Sequence, residues 1–77
     1  MDLYFQYADG REELCEENVD EENAVTAALR DLSKRNPRYF SYYQRTWKDN
    51  LGNLWIDVGS HTEFYILKAS DNRHANH

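Results

Sequence analysis

Four glutamates stand in two adjacent pairs, Glu12-Glu13 and Glu16-Glu17. Paired carboxylates are the raw material of general acid–base chemistry, but one of the two must lose water for its pKa to rise to the task. Nothing nearby in the sequence would desolvate one of them, so they read as a solvated acidic face. Cys15 is the single thiol, and His61 is the partner it would need for a nucleophilic dyad. The two lie far apart in sequence, no third residue orients them, and Glu13, Glu16 and Glu17 oppose thiolate formation. Cys15 therefore reads as a buried, inert side chain. His74 and His77 have the i, i+3 spacing of a helical chelate, but no thiol or carboxylate beside them completes a shell. Gly10, Gly52 and Gly59 each fall in a turn, and none opens a phosphate-cradling loop. The residues predict neither an enzyme nor a bound metal or cofactor.

The elements that would position these groups are legible. A chain of 77 residues holds one domain, set here at residues 1–68, with a polar tail at 69–77 expected to fray. One cysteine excludes an internal disulfide and fits a reducing compartment. The N-terminus has no charged-then-apolar leader pattern, so a cytoplasmic protein is expected. The longest apolar run, Phe64 to Leu67, is far short of the roughly 20 residues of a membrane span. A core this small leaves only about 3–5 kcal/mol of net stability.

Leu3, Phe5 and Tyr7 alternate with polar positions as a strand does, and Asp9-Gly10 follows as a two-residue hairpin turn. That turn sets Phe5 opposite Leu14 and Tyr4 opposite Cys15. Asn18 and Asp20 are helix-capping residues. Val25, Ala28, Leu29 and Leu32 then form one apolar stripe, and Pro37 ends a helix predicted over about 21 to 35. Strands follow over Arg38 to Trp47, around Leu54 to Val58, and over Thr62 to Lys68. A three-residue loop, Gly59 to His61, aligns Ile56 with Phe64 and Leu54 with Ile66. A two-residue turn would face Ile56 with Glu63, and Ser60-x-x-Glu63 offers a rival capping box for a short helix. The expected fold is α+β, in the order β-β-α-β-β-β, with one helix packed on a face of an antiparallel sheet.

Two features remain for binding. Residues 1–36 carry ten acids and four bases, net −6, against four acids and five bases, net +1, in residues 37–77. Glu12, Glu13, Glu16, Glu17 and Glu21 thus make a negative patch suited to a basic partner. Rings are dense as well: two Trp, six Tyr and three Phe. A helix covers one sheet face, so rings such as Tyr42, Trp55 and Tyr65 are expected on the other, where Tyr and Trp serve protein interfaces. Tyr43 and Trp47 with Arg38, Arg45 and Lys48 suit an alternative, single-stranded nucleic acid, in which bases stack on rings and cations follow phosphates. A third possibility is a homodimer closed by the bare face.

The segment Trp55-Ile56-Asp57-Val58-Gly59-Ser60-His61-Thr62-Glu63-Phe64-Tyr65 resembles the C-terminal stretch of small uncharacterised proteins encoded by phages and prophages of Gram-positive bacteria. The likeness covers about 20 residues with Trp47. It implies an accessory product that binds a host component, and carries over no functional residue. The leading expectation is a non-enzymatic protein that acts through contact with a host or self protein, without a membrane.

Overall fold

The computed structural model describes residues 1–38, 44–59 and 62–69. Five strands and one helix follow the expected order: β1 (Asp2–Gln6), β2 (Glu12–Glu16), a short 3-10 turn (Glu21–Asn23), α1 (Ala24–Arg35), β3 (Arg45–Lys48), β4 (Leu54–Asp57) and β5 (Phe64–Lys68). The strands form one antiparallel sheet in the order β2-β1-β5-β4-β3. The first and last strands of the chain are therefore neighbours at its centre. The fold is α+β, as the alternation of sequence patterns predicts.

The helix lies on one face. Its alanines Ala24, Ala27 and Ala28 are buried against Leu3, Phe5, Ile56, Tyr65 and Leu67. Alanines bring the helix axis close to the sheet, so the large side chains of this core come from the strands. Val25, Leu29 and Leu32 of the expected stripe are only partly buried and flank the contact. Asp20 occupies the N-cap of the 3-10 turn in an extended conformation and Asn23 that of α1, and neither makes a side-chain capping bond. Asn18 turns the chain through a left-handed φ of 58°. Its N–H donates to Asp2 Oδ1 at 3.3 Å, and the Val19 N–H donates to the Met1 carbonyl at 2.7 Å. These bonds pin β1 beneath the entry to the helix.

The first hairpin differs from the expected one. The Gly10 N–H bonds the Tyr7 carbonyl at 2.9 Å, the Tyr7 N–H bonds the Arg11 carbonyl at 2.7 Å, and Gly10 has φ 95°. The loop is thus three residues, Ala8 to Gly10, with Gly10 in the left-handed position that such loops place last. One added residue moves the register by one. Phe5 faces Glu13 and Tyr4 faces Leu14, rather than Leu14 and Cys15. Leu14 is thereby turned away from the helix. Cys15 then falls on the core side by alternation, and a bulge opposes Leu3 with Cys15 and Glu16 together.

The last hairpin also differs. Leu54 faces Leu67, Trp55 faces Ile66 and Ile56 faces Tyr65. Neither register considered from the sequence has this pairing. It turns Tyr65 and Leu67 to the core and Phe64 and Ile66 to the other face, and pairs each buried side chain with another large apolar one. Residues 64–68 are a strand, so no helix starts from Ser60-x-x-Glu63. Ordered pairing in β3 begins at Arg45; the portion of the expected strand over residues 39–43, with Tyr42 and Tyr43, lies outside the described residues. His61, His74 and His77 lie outside them too.

Candidate protein interface

The face without the helix carries a continuous row. Leu14 pairs with Tyr4, Tyr4 with Ile66, Ile66 with Trp55, and Trp55 with Trp47. Five apolar side chains, one from each strand, thus line up across the whole sheet, over roughly 19 Å at the usual strand spacing. The ends of the row meet solvent: Leu14 is 40% and Trp47 36% exposed, while Ile66 at the centre is 1% exposed. Trp47 and Trp55 stack at 6.0 Å between centroids, and Phe64 meets both edge-on at 5.9 and 5.8 Å. Such ring geometries are favourable beyond area burial, and they hold the row stiff.

Trp55 is fixed by its indole N–H, which donates to Asp49 Oδ2 at 2.8 Å. Asp49 also accepts from the Asn53 and Leu51 N–H groups at 3.0 and 2.9 Å. The Trp55 bond first, and then these backbone donors, hold the Asp49 carboxyl below its ordinary pKa. A depressed folded pKa stabilises the fold above the unfolded value of roughly 3.9 and loses that stabilisation as pH falls through the folded one. Asp49→Asn is therefore expected to be less stable than the native chain at pH 7, with the gap closing as the pH drops below about 4. Urea unfolding at several pH values checks this; a constant gap would show that the charge on Asp49 is not what holds the turn.

Cations lie over both ends of the row. The Arg45 guanidinium sits 4.9 Å from the Trp47 ring, and the Lys68 ammonium 5.2 Å from the Tyr4 ring. Each is matched to a carboxylate, Arg45 to Asp57 at 3.5 Å and Lys68 to Glu12 at 2.6 Å. Burial and these contacts thus leave an apolar ridge bordered by ion pairs.

The acidic residues do not form one surface. Glu12 and Glu13 point to opposite faces of β2, Glu12 to Lys68 and Glu13 to Arg35 at 2.5 Å. Glu16 pairs with Arg30 at 2.9 Å and Glu21 with Lys48 at 2.9 Å. Glu17 is exposed at the end of the strand. Glu12, Glu13, Glu16 and Glu21 are thus each matched to a base. Tyr65 is the larger correction. It is fully buried in the core, where no partner reaches it, and its hydroxyl donates to Asp31 Oδ2 at 2.8 Å. Of the cationic set, Arg45 and Trp47 share the open face, Lys48 alternates to the other and Arg38 is exposed past the helix. Tyr4, Leu14 and Ile66 were not legible as interface residues, because their facing depends on two hairpin registers.

The opposite face holds a cleft of about 560 Å³ between Phe5, Tyr7, Leu32 and Val58, with Arg35 on its wall. Arg35 stacks on Phe5 at 4.1 Å and is bonded to Asp31 and Glu13 at 2.5 Å each. Burial opposes its charge, but these bonds hold it firmly protonated. It is thus a structural clamp between helix and hairpin. The Cys15 thiol beside it is pushed up in pKa, by burial first, and more weakly by the nearby Asp31 charge. The acidic neighbours in sequence are not the main cause.

No family model, curated protein or solved structure matches the chain. Fold and site together define a class: an α+β domain with one helix on a five-stranded antiparallel sheet and an aromatic row across its open face. No helix among the described residues is long and apolar enough to cross a membrane.

Proposed function

We propose that this is a non-enzymatic binding protein that contacts another polypeptide through the open sheet face. The observation that carries the reading is the row Leu14–Tyr4–Ile66–Trp55–Trp47, whose exposed ends and stacked rings have the composition of interface anchors. The matched cations favour a polypeptide over nucleic acid. Phosphate binding draws on uncommitted Lys and Arg, which displace the cations condensed on the nucleic acid, and Arg45, Lys68 and Lys48 each face a carboxylate instead. The resemblance of residues 55–65 to phage and prophage products agrees with an accessory role of this kind.

Two measurements test it. Native protein used as bait in a lysate is expected to retain a discrete polypeptide that the Leu14→Ser/Trp47→Ser double variant releases, with both baits equally folded by circular dichroism. Identical retention by the two, or none, overturns the use of this face. Titration with single-stranded DNA and RNA oligomers, followed by Trp47 and Trp55 fluorescence, is expected to be flat. Saturable quenching that weakens with added salt would replace the polypeptide by nucleic acid.

A further inference from the structure

β2 is held in a register that its own residues barely specify. The bulge brings Leu3 opposite Glu16, the pairing that an unbulged strand in the neighbouring register would also have. From that shared pair, the two registers differ only in where one extra residue sits. In the structure it is in the bulge, above a three-residue loop. In the other register it joins the loop, which becomes Ala8 to Arg11, closed by Tyr7 opposite Glu12, and the bulge vanishes. Hairpins use four-residue loops as well as three-residue ones. Leu3, Phe5 and Tyr7 still direct their hydrogen bonds to β2, so the ladder of β1 with β5 is untouched.

A one-residue slip turns every side chain it moves to the opposite face, which ordinarily excludes it. Here the residues that exchange are alike. Glu13 takes the position of Glu12 opposite Gln6, on the side of Lys68. Glu12 comes opposite Tyr7, whose hydroxyl lies 3.3 Å from Arg35. Leu14 moves in opposite Phe5, and Cys15 moves out opposite Tyr4. The Glu16–Arg30 pair stays with its anchor. β2 is also the outermost strand, so only one ladder has to break. The observed register leaves Leu14 40% exposed, and the slipped one covers it on Phe5. That burial offsets the loss of the Gly10 loop and of the Arg11 contact with the Tyr7 ring. We propose that β2 exchanges between these two registers, the slipped one being a minor state, and that the exchange replaces Leu14 by Cys15 at the end of the open-face row. Anything that binds one register better than the other then shifts the balance, and the β2 end of that face is switchable.

Chemical-exchange saturation transfer at the backbone amides of the full chain reads this directly. A second state with strand-like shifts, populated at about 1–10%, is expected at residues 4–7 and 11–15 and not in β3 or β4. Leu14→Lys alters an exposed side chain, so the observed register survives, but the slipped one would bury the ammonium over Phe5. It should deplete the second state about tenfold or more, whereas Leu14→Val should keep it. A native chain with a single state overturns the slip. So does a second state with random-coil shifts, which is fraying of the hairpin. Exchange that persists unchanged in Leu14→Lys overturns the inward turn of position 14, and with it this pair of registers.

Discussion

Tyr65→Ala is expected to leave the chain without a cooperative unfolding transition at room temperature. The ring is fully buried, meets Phe5 edge-on at 5.2 Å and faces Ile56 across the β4–β5 pair. Removing a buried aromatic costs about 3–5 kcal/mol, as much as a single core of this size supplies in total. Tyr65→Phe separates the ring from its hydroxyl. It keeps the packing and removes one bond to Asp31, which retains Arg35. That change should cost only about 1–2 kcal/mol. Urea unfolding followed by tryptophan fluorescence checks both. A Tyr65→Ala protein with a sharp transition close to the native midpoint would mean that the ring is outside the core and that the β4–β5 register is wrong.

Ala28→Leu should have the second-largest effect. Ala24 and Ala28 are completely buried where α1 rests on the sheet, so an added isobutyl group has no space without lifting the helix. Overpacking of this kind costs about 1–3 kcal/mol, against a total of about 3–5. Thr26→Leu, on the exposed side of the same helix, is the control and should stay within about 0.5 kcal/mol of the native chain. If the two variants unfold at the same denaturant concentration, the helix does not sit as closely as its alanines indicate. A sequence reading that ranks residues by hydropathy undervalues these positions, because alanine contributes closeness rather than area.

The fold class, the order of elements and the span of the helix were legible because each rests on a local pattern. Periodicity, turn residues and the stop at Pro37 are all short-range signals. Facing was not legible in the hairpins. It depends on loop length to the single residue, and Asp9-Gly10 serves a two-residue turn and the tail of a three-residue one equally well. The difference sent Leu14 outward; the corresponding slip in the last hairpin sent Tyr65 inward. The pairing of the acidic residues was not legible for another reason. Charge along the chain sums residues 1–36, whereas Lys48 and Lys68, which neutralise Glu21 and Glu12, arrive from elements beyond that stretch. Arg45 and Trp47 stand two apart on one strand, so alternation alone puts them on one face; that Trp55 joins them depends on the β3–β4 pairing, which was not read from the sequence.

The pairing of β1 with β5 has a kinetic consequence. Asp2 faces Lys68, so the central ladder joins segments separated by nearly the whole chain, and the β2-β1 and β4-β3 halves meet only through it. Contacts of such long sequence separation bear the loop-closure entropy before they return any energy, which slows folding. During synthesis the first hairpin and helix emerge with an unfilled central edge, and that edge must wait for residues 64–68. The nascent domain is therefore most open to strand exchange and chaperone capture in the interval before its last strand appears.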